Sequence, residues 1–266
     1  SGGQERHNTG IMIRNCVFDG VNNDNRNAIS IIDIDGISIE GNTFKNCTRS
    51  GMPGPIDFEP NPGMDAYVIC RNISVHNNVF ESNGGDGGFV INTGSVNLLN
   101  SLKNVSVRNN TFSYSNTFSA AVRISTAQDL ATAQYMGIDV SDNFMNLRPT
   151  TQPILLRFLN GVNVLNNRVN GGSTVSLGRE YVSSLSLKNV RLSGNHFIDV
   201  SSTEAMITVA TVDGLEISDN VLKPYDTAGY ITAIMFYGNG VATSSSEVKI
   251  SGNRFIKGLN QTYAIR

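Results

Sequence analysis

Two carboxylates stand two residues apart in the segment GPIDFEPNP (54–62), where Asp57 and Glu59 alternate with the apolar Ile56 and Phe58. On an extended strand, residues two apart share a face and lie ~6.6 Å apart at Cα. The alternation sends Ile56 and Phe58 inward and predicts that Asp57 and Glu59 face solvent side by side. Like charges this close raise one of the two pKa values, which leaves an acid beside a base near neutral pH. Cleavage of a glycosidic bond uses such a pair, and flexible side chains can span either the ~5 Å retaining or the ~6.5–9.5 Å inverting separation. Two solvated surface acids would have the same spacing. Pro60 and Pro62, a stiff edge beside the pair, favour a built site.

Asp86, in the glycine-rich run GGDGG (84–88), is a candidate third carboxylate, because glycines on both sides let a backbone approach a ligand. A glycine-rich turn with Asp supplying turn chemistry is the alternative. Arg123 and Arg157 alternate with apolar neighbours and are expected to point outward, where a guanidinium binds sugar carboxylates or hydroxyls by paired hydrogen bonds. Structural ion pairing would use the same residues. Asn92 joins them as a candidate binding residue, and so does Tyr67; like Tyr114 and Tyr135, Tyr67 can stack its ring on a sugar. His76 is an outward residue on a different face, suited to proton transfer or simply a surface histidine. His196 receives no role. Asp57, Glu59, Asp65 and Asp86 lack the ligand spacing of a calcium loop, so neither metal nor cofactor is expected.

The elements that position these residues follow from an internal repeat. An eight-residue phrase recurs nine times, starting at Ile11, Ile37, Ile73, Val105, Ile138, Val162, Val190, Leu215 and Val248. Its first and third positions are always aliphatic, and its second and fourth are polar except at Met12 and Leu165, which is a strand period. The sixth position is Asn in every copy but the first, which has Cys16. Asn tolerates left-handed backbone angles and, stacked at one level, can pass amide hydrogen bonds between repeats. The eighth position is apolar throughout, from Phe18 to Phe255, and is expected to stack indoors. A second apolar strand candidate lies between phrases, as in PIDFE, GFVIN and AAVRIS. The fold class expected is all-β, a single-stranded right-handed parallel β-helix of about nine coils over 11–258, with strands ~4.8 Å apart. Residues 1–10 read as a tag remnant or flexible lead-in, and 259–266 as a tail. Long excursions at 48–54, 61–67 and 81–88 are expected to wall a groove.

Bulk properties narrow the partners. Twenty Lys and Arg against 22 Asp and Glu give a net charge of -2, without the basic excess that phosphate backbones reward. Nucleic acid is not expected as a partner. No apolar run approaches the ~18 residues of a bilayer helix, so no membrane insertion is expected. Cys16, Cys47 and Cys70 show no metal-site spacing and read as buried small hydrophobes.

The phrase, the Asn ladder and GPIDFEPNP resemble right-handed β-helix proteins of the pectin-lyase-like superfamily, particularly phage tailspikes and tail appendages that degrade surface polysaccharide. The resemblance covers roughly residues 11 to 258. It implies a homotrimer on a virion tail or in an extracellular setting, with a bacterial surface polysaccharide as substrate and glycosidase or lyase sites in grooves. The polygalacturonase motif set is absent, since Asn92-Thr93 is followed by Gly94, and without Trp the pectate-lyase motif is impossible. The leading expectation is hydrolysis by Asp57 and Glu59 with Asp86. The alternatives are a noncatalytic saccharide-binding or structural spike segment, and a secreted polysaccharide lyase or uronate epimerase.

Overall fold

A computed structural model describes residues 7–60, 68–93, 102–113, 120–126, 134–178, 186–226, 231–237, 245–258 and 261–266. The described residues contain no helix, and every strand pairing is parallel. Three sheets of nine strands wind into a solenoid whose coil contributes one strand to each sheet in turn. Sheet A holds the phrase itself, from Thr9–Arg14 to Ser246–Ser251. Sheet B holds its last residues, from Val17–Asp19 to Arg254–Phe255. Sheet C is the strand between phrases, from Ile29–Ile31 through Ile56–Phe58, Gly87–Thr93, Ala120–Thr126 and Gln152–Arg157 to Gln261–Ile265. The parallel β-helix is therefore the fold. Its third sheet runs past residue 258, because Gln261–Ile265 pairs with Ile231–Tyr237 as a ninth strand.

The phrase stacks in register, Ile37 level with Ile11 and Ile73, and its first and third positions fill the interior. At the eighth position, Phe18, Phe44, Phe80 and Phe112 form a column with ring centroids 4.9, 5.0 and 4.6 Å apart and planes within 15°. That spacing is the interstrand distance itself, so the rings stack because the strands do.

The sixth-position asparagines are buried from Asn42 to Asn220. Each backbone N–H and each Nδ2 donates to the Oδ1 of the Asn one coil on, as between Asn78 and Asn110 at 3.0 Å for both bonds. The second Nδ2 proton goes back to the preceding coil, as from Asn110 to the Val75 carbonyl at 2.9 Å. The left-handed angle expected at this Asn falls one residue earlier. Asn15, Gly41, Asn77, Asn109, Asp142, Asn166, Gly194, Asp219 and Gly252, the fifth positions of the nine phrases, all have φ between 54° and 69°. The fifth residue turns the corner, which frees the sixth to point inward and carry the ladder. A second left-handed row precedes the phrase, at Gly10, Gly36, Asn72, Asn104, Gly137, Gly161, Asn189, Gly214 and Glu247.

Two further expectations change. Cys47 and Cys70 are buried, but Cys16 is exposed, since its strands are the edge strands of sheets A and B. One outward row of sheet C is largely buried: Val90, Leu155, Thr208 and Met235 alternate with interior residues and so point outward, yet all are buried.

Candidate functional site

Ile56 and Phe58 lie in the interior as alternation requires, which turns Asp57 to the outer side of sheet C, level with Ser30 and Val90. The expectation that it meets solvent is not met: Asp57 is 0 % exposed, and Val90, level with it on the next coil, is buried as well. Among the described residues, neither carboxyl oxygen has a hydrogen-bond partner. Burial first, and the neighbouring Glu59 carboxylate second, raise its pKa to about 6, while Arg26 acts weakly in the other direction.

Glu59 differs in each respect. Its side chain is 41 % exposed, and it meets Arg26 at 3.3 Å across one coil. Its backbone N–H donates to the Ile31 carbonyl at 2.9 Å, which fixes the chain just beyond the strand. Two acids two residues apart thus occupy unlike surroundings. Arg26 was missed in reading the sequence, although its 33-residue separation from Glu59 is close to one repeat and so places the two on adjacent coils.

Asp86 does not join them. Its N–H donates to the Met52 and Pro53 carbonyls at 2.8 and 2.9 Å, at the turn from sheet B into sheet C. Asp57 is level with Val90, four residues or ~13 Å farther along the strand. The Asp86 carboxylate instead holds Arg123 at 2.8 Å. The reason is the glycine run itself: a Cβ on Gly54 would fall on the Gly87 carbonyl oxygen, and one on Gly85 would stand 2.6 Å from the Met52 carbonyl oxygen. Excursions 48–54 and 81–88 therefore pack backbone to backbone and do not splay into groove walls. Excursion 61–67, with Tyr67 and Asp65, lies outside the described residues.

Arg123 does point outward between the buried Val122 and Ile124, level with Val90, but its guanidinium reaches back to Asp86. Asn92 is exposed and level with Ser125, which is level with the half-buried Arg157. Glu59 follows Phe58, which is level with Ile91, so Glu59, Asn92, Ser125 and Arg157 form one row along the outside of sheet C. His76 lies on sheet A, its Nε2 3.9 Å from Glu40 and 3.4 Å from the Ser38 hydroxyl, apart from this row. Among the described residues, no three His, Cys, Asp or Glu side chains are placed to hold a metal ion.

One end of the row thus pairs a sealed carboxyl group that binds a proton near pH 6 with an exposed, ion-paired carboxylate. Such a pair can give a proton to one atom and take one from another. Compared with known proteins, the chain matches no family model, no curated protein and no solved structure.

Proposed function

We propose that this β-helix cleaves a bacterial surface polysaccharide by hydrolysis, with Asp57 as general acid and Glu59 as base or nucleophile. The observation that carries the reading is the contrast between the two carboxyl groups: Asp57 is buried, unpartnered and raised to about 6, and Glu59 is exposed against Arg26. An enzyme that divides acid and base roles between two carboxyl groups needs such unlike surroundings. In the reaction, the bond from the anomeric carbon to the glycosidic oxygen breaks as Asp57 protonates that oxygen. Glu59 either removes a proton from the attacking water or bonds to the anomeric carbon first, with water releasing the sugar afterwards. Asn92 and Arg157, farther along the row, bind hydroxyl or carboxylate groups of neighbouring sugars. Asp86 serves as a positioning residue that holds Arg123.

The resemblance to tailspikes extends this reading to a homotrimer on a virion tail or outside the cell. The fold and the repeat support that part, and an oligomer mass measurement tests it. The complete covering of Asp57 favours a second reading, in which the row binds saccharide without cutting it.

The experiment incubates the protein with bacterial capsule, lipopolysaccharide and teichoic acid and measures released oligosaccharide. Asp57→Asn and Glu59→Gln should each lower release by roughly 10²-fold or more. Release by the parent protein should fall as pH rises through about 6, where Asp57 loses its proton. Undiminished release by both variants overturns the assignment, and retention of polymer without product supports the binding reading.

A further inference from the structure

Tyr135 sits where the chain turns from sheet C into sheet A, and its ring lies over two glycines of neighbouring coils. Gly137 and Gly161 immediately precede Ile138 and Val162, which are level with each other, so two stretches of bare backbone lie side by side. A Cβ added to Gly161 would stand 2.5 Å from Cδ2 and 2.6 Å from Cζ of Tyr135, and closer still to Cε2 between them. Near-equal distances to three consecutive ring carbons mean that Gly161 faces the flat of the ring; an edgewise approach at Cε2 would leave the flanking carbons markedly farther away. The opposite ring edge, at Cε1, would be 3.8 Å from a Cβ on Gly137. The support is firm. The Met136 N–H donates to the Asn160 carbonyl and its carbonyl accepts from the Asn104 N–H, both at 2.8 Å, and its side chain is buried. Tyr135 itself is 60 % exposed. One ring face rests on the glycines and the other is open.

A rigidly held aromatic face offers an apolar surface with a polar tip, which suits the C–H face of a sugar ring. Hydroxyl partners stand nearby: Asp139 and Asn163 each follow a bed glycine by two residues, ~6.6 Å along the strand, and are level with each other. We propose that Tyr135 is a carbohydrate-stacking platform, a distal subsite for the polymer whose cleavage is assigned to Asp57 and Glu59. The proposal rests on the polysaccharide reading above. Glu59 lies at the turn from sheet C to sheet A that leads into the third coil, and Tyr135 at the same turn leading into the fifth. Two coil steps of ~4.8 Å separate these turns by ~10 Å along the axis. The ligand is therefore a polymer lying along the tube, and a fragment of one or two sugar units held at Glu59 does not reach Tyr135.

The test uses size-fractionated fragments of capsule, lipopolysaccharide O-chain and teichoic acid, titrated calorimetrically against Glu59→Gln protein so that nothing is cut. Into this background are placed Tyr135→Ala, Tyr135→Phe and Tyr135→Trp. Tyr135→Ala should weaken binding of long fragments about three- to tenfold and leave short fragments unchanged, while Phe and Trp restore the long-fragment affinity. Long-fragment affinity unchanged in Tyr135→Ala, or equal losses for short and long fragments, overturns the platform. If the parent protein binds no fragment, the polysaccharide reading fails and the platform falls with it. If the parent binds but never cuts, only the catalytic reading fails, and Tyr135→Ala still decides the platform.

Discussion

At Asp57, chemistry and stability are coupled through one proton. The unfolded chain binds that proton with the ordinary value of 3.8, and the folded protein with a value of about 6. Between these values the folded state binds more protons than the unfolded, so stability falls as pH rises and stays low above about 6. About two pK units at ~1.4 kcal/mol each make the deficit roughly 3 kcal/mol. Asp57→Asn, which cannot ionise, should therefore gain up to about 3 kcal/mol over the parent at pH 8 and nothing near pH 3.5. Urea unfolding at both pH values measures this. A gain independent of pH would mean that ionisation at Asp57 is not its source. A group that costs stability when ionised fits the pattern in which functional sites hold costly residues. The pairing of Asp57 with Glu59 was legible from spacing alone; the difference between them was not, because it depends on what lies over each carboxyl group. The buried thiols shift for a related reason: burial raises Cys47 and pushes Cys70 up to about 12, so both stay protonated.

At the scale of the strand, the Asn ladder converts a local turn into a long-range brace. Removing Asn110 takes away the acceptor for two donors of Asn78 and leaves them buried at about 1–3 kcal/mol each. Asn110→Ala should therefore lower stability by roughly 2–6 kcal/mol, and Asn253→Ala, in the outermost coil, by clearly less, as compared by thermal or urea unfolding. The phrase showed this ladder and the Phe column directly, since a side chain repeated at one position must stack if the strands do. It also contained the corner residues, Asn, Gly or Asp at every fifth position, but the conspicuous sixth-position Asn drew the turn to itself. The buried outer row of sheet C left a trace too: PILL (153–156) and AIMF (233–236) are unbroken apolar runs, which mark a strand buried on both faces. Asp57 interrupts no such run, since PIDFE alternates cleanly, so nothing local foretold its burial.

Across the whole molecule, each coil touches only its neighbours, so stability is built by stacking and lost from the ends. The outer coils carry the exposed apolar side chains Ile11, Met12, Val17 and Val248, while the interior of the central coils is sealed. Native-state hydrogen exchange should show protection greatest in the strands around Leu102–Arg108 and Leu159–Leu165, and least in Thr9–Arg14 and Ser246–Ser251. Uniform protection would indicate one cooperative unit. The asparagine amides add a directional property to this stack. Every Oδ1 accepts from the coil before it and every amide passes a hydrogen onward, from Asn42 through to Asn253, while Cys16 contributes only its backbone N–H. The solenoid consequently has a polarity, with unlike chemistry at its two rims. Two molecules meeting rim to rim with the same ends facing would confront matching groups and could not prolong the amide chain, so any extension of the tube through it must run head to tail.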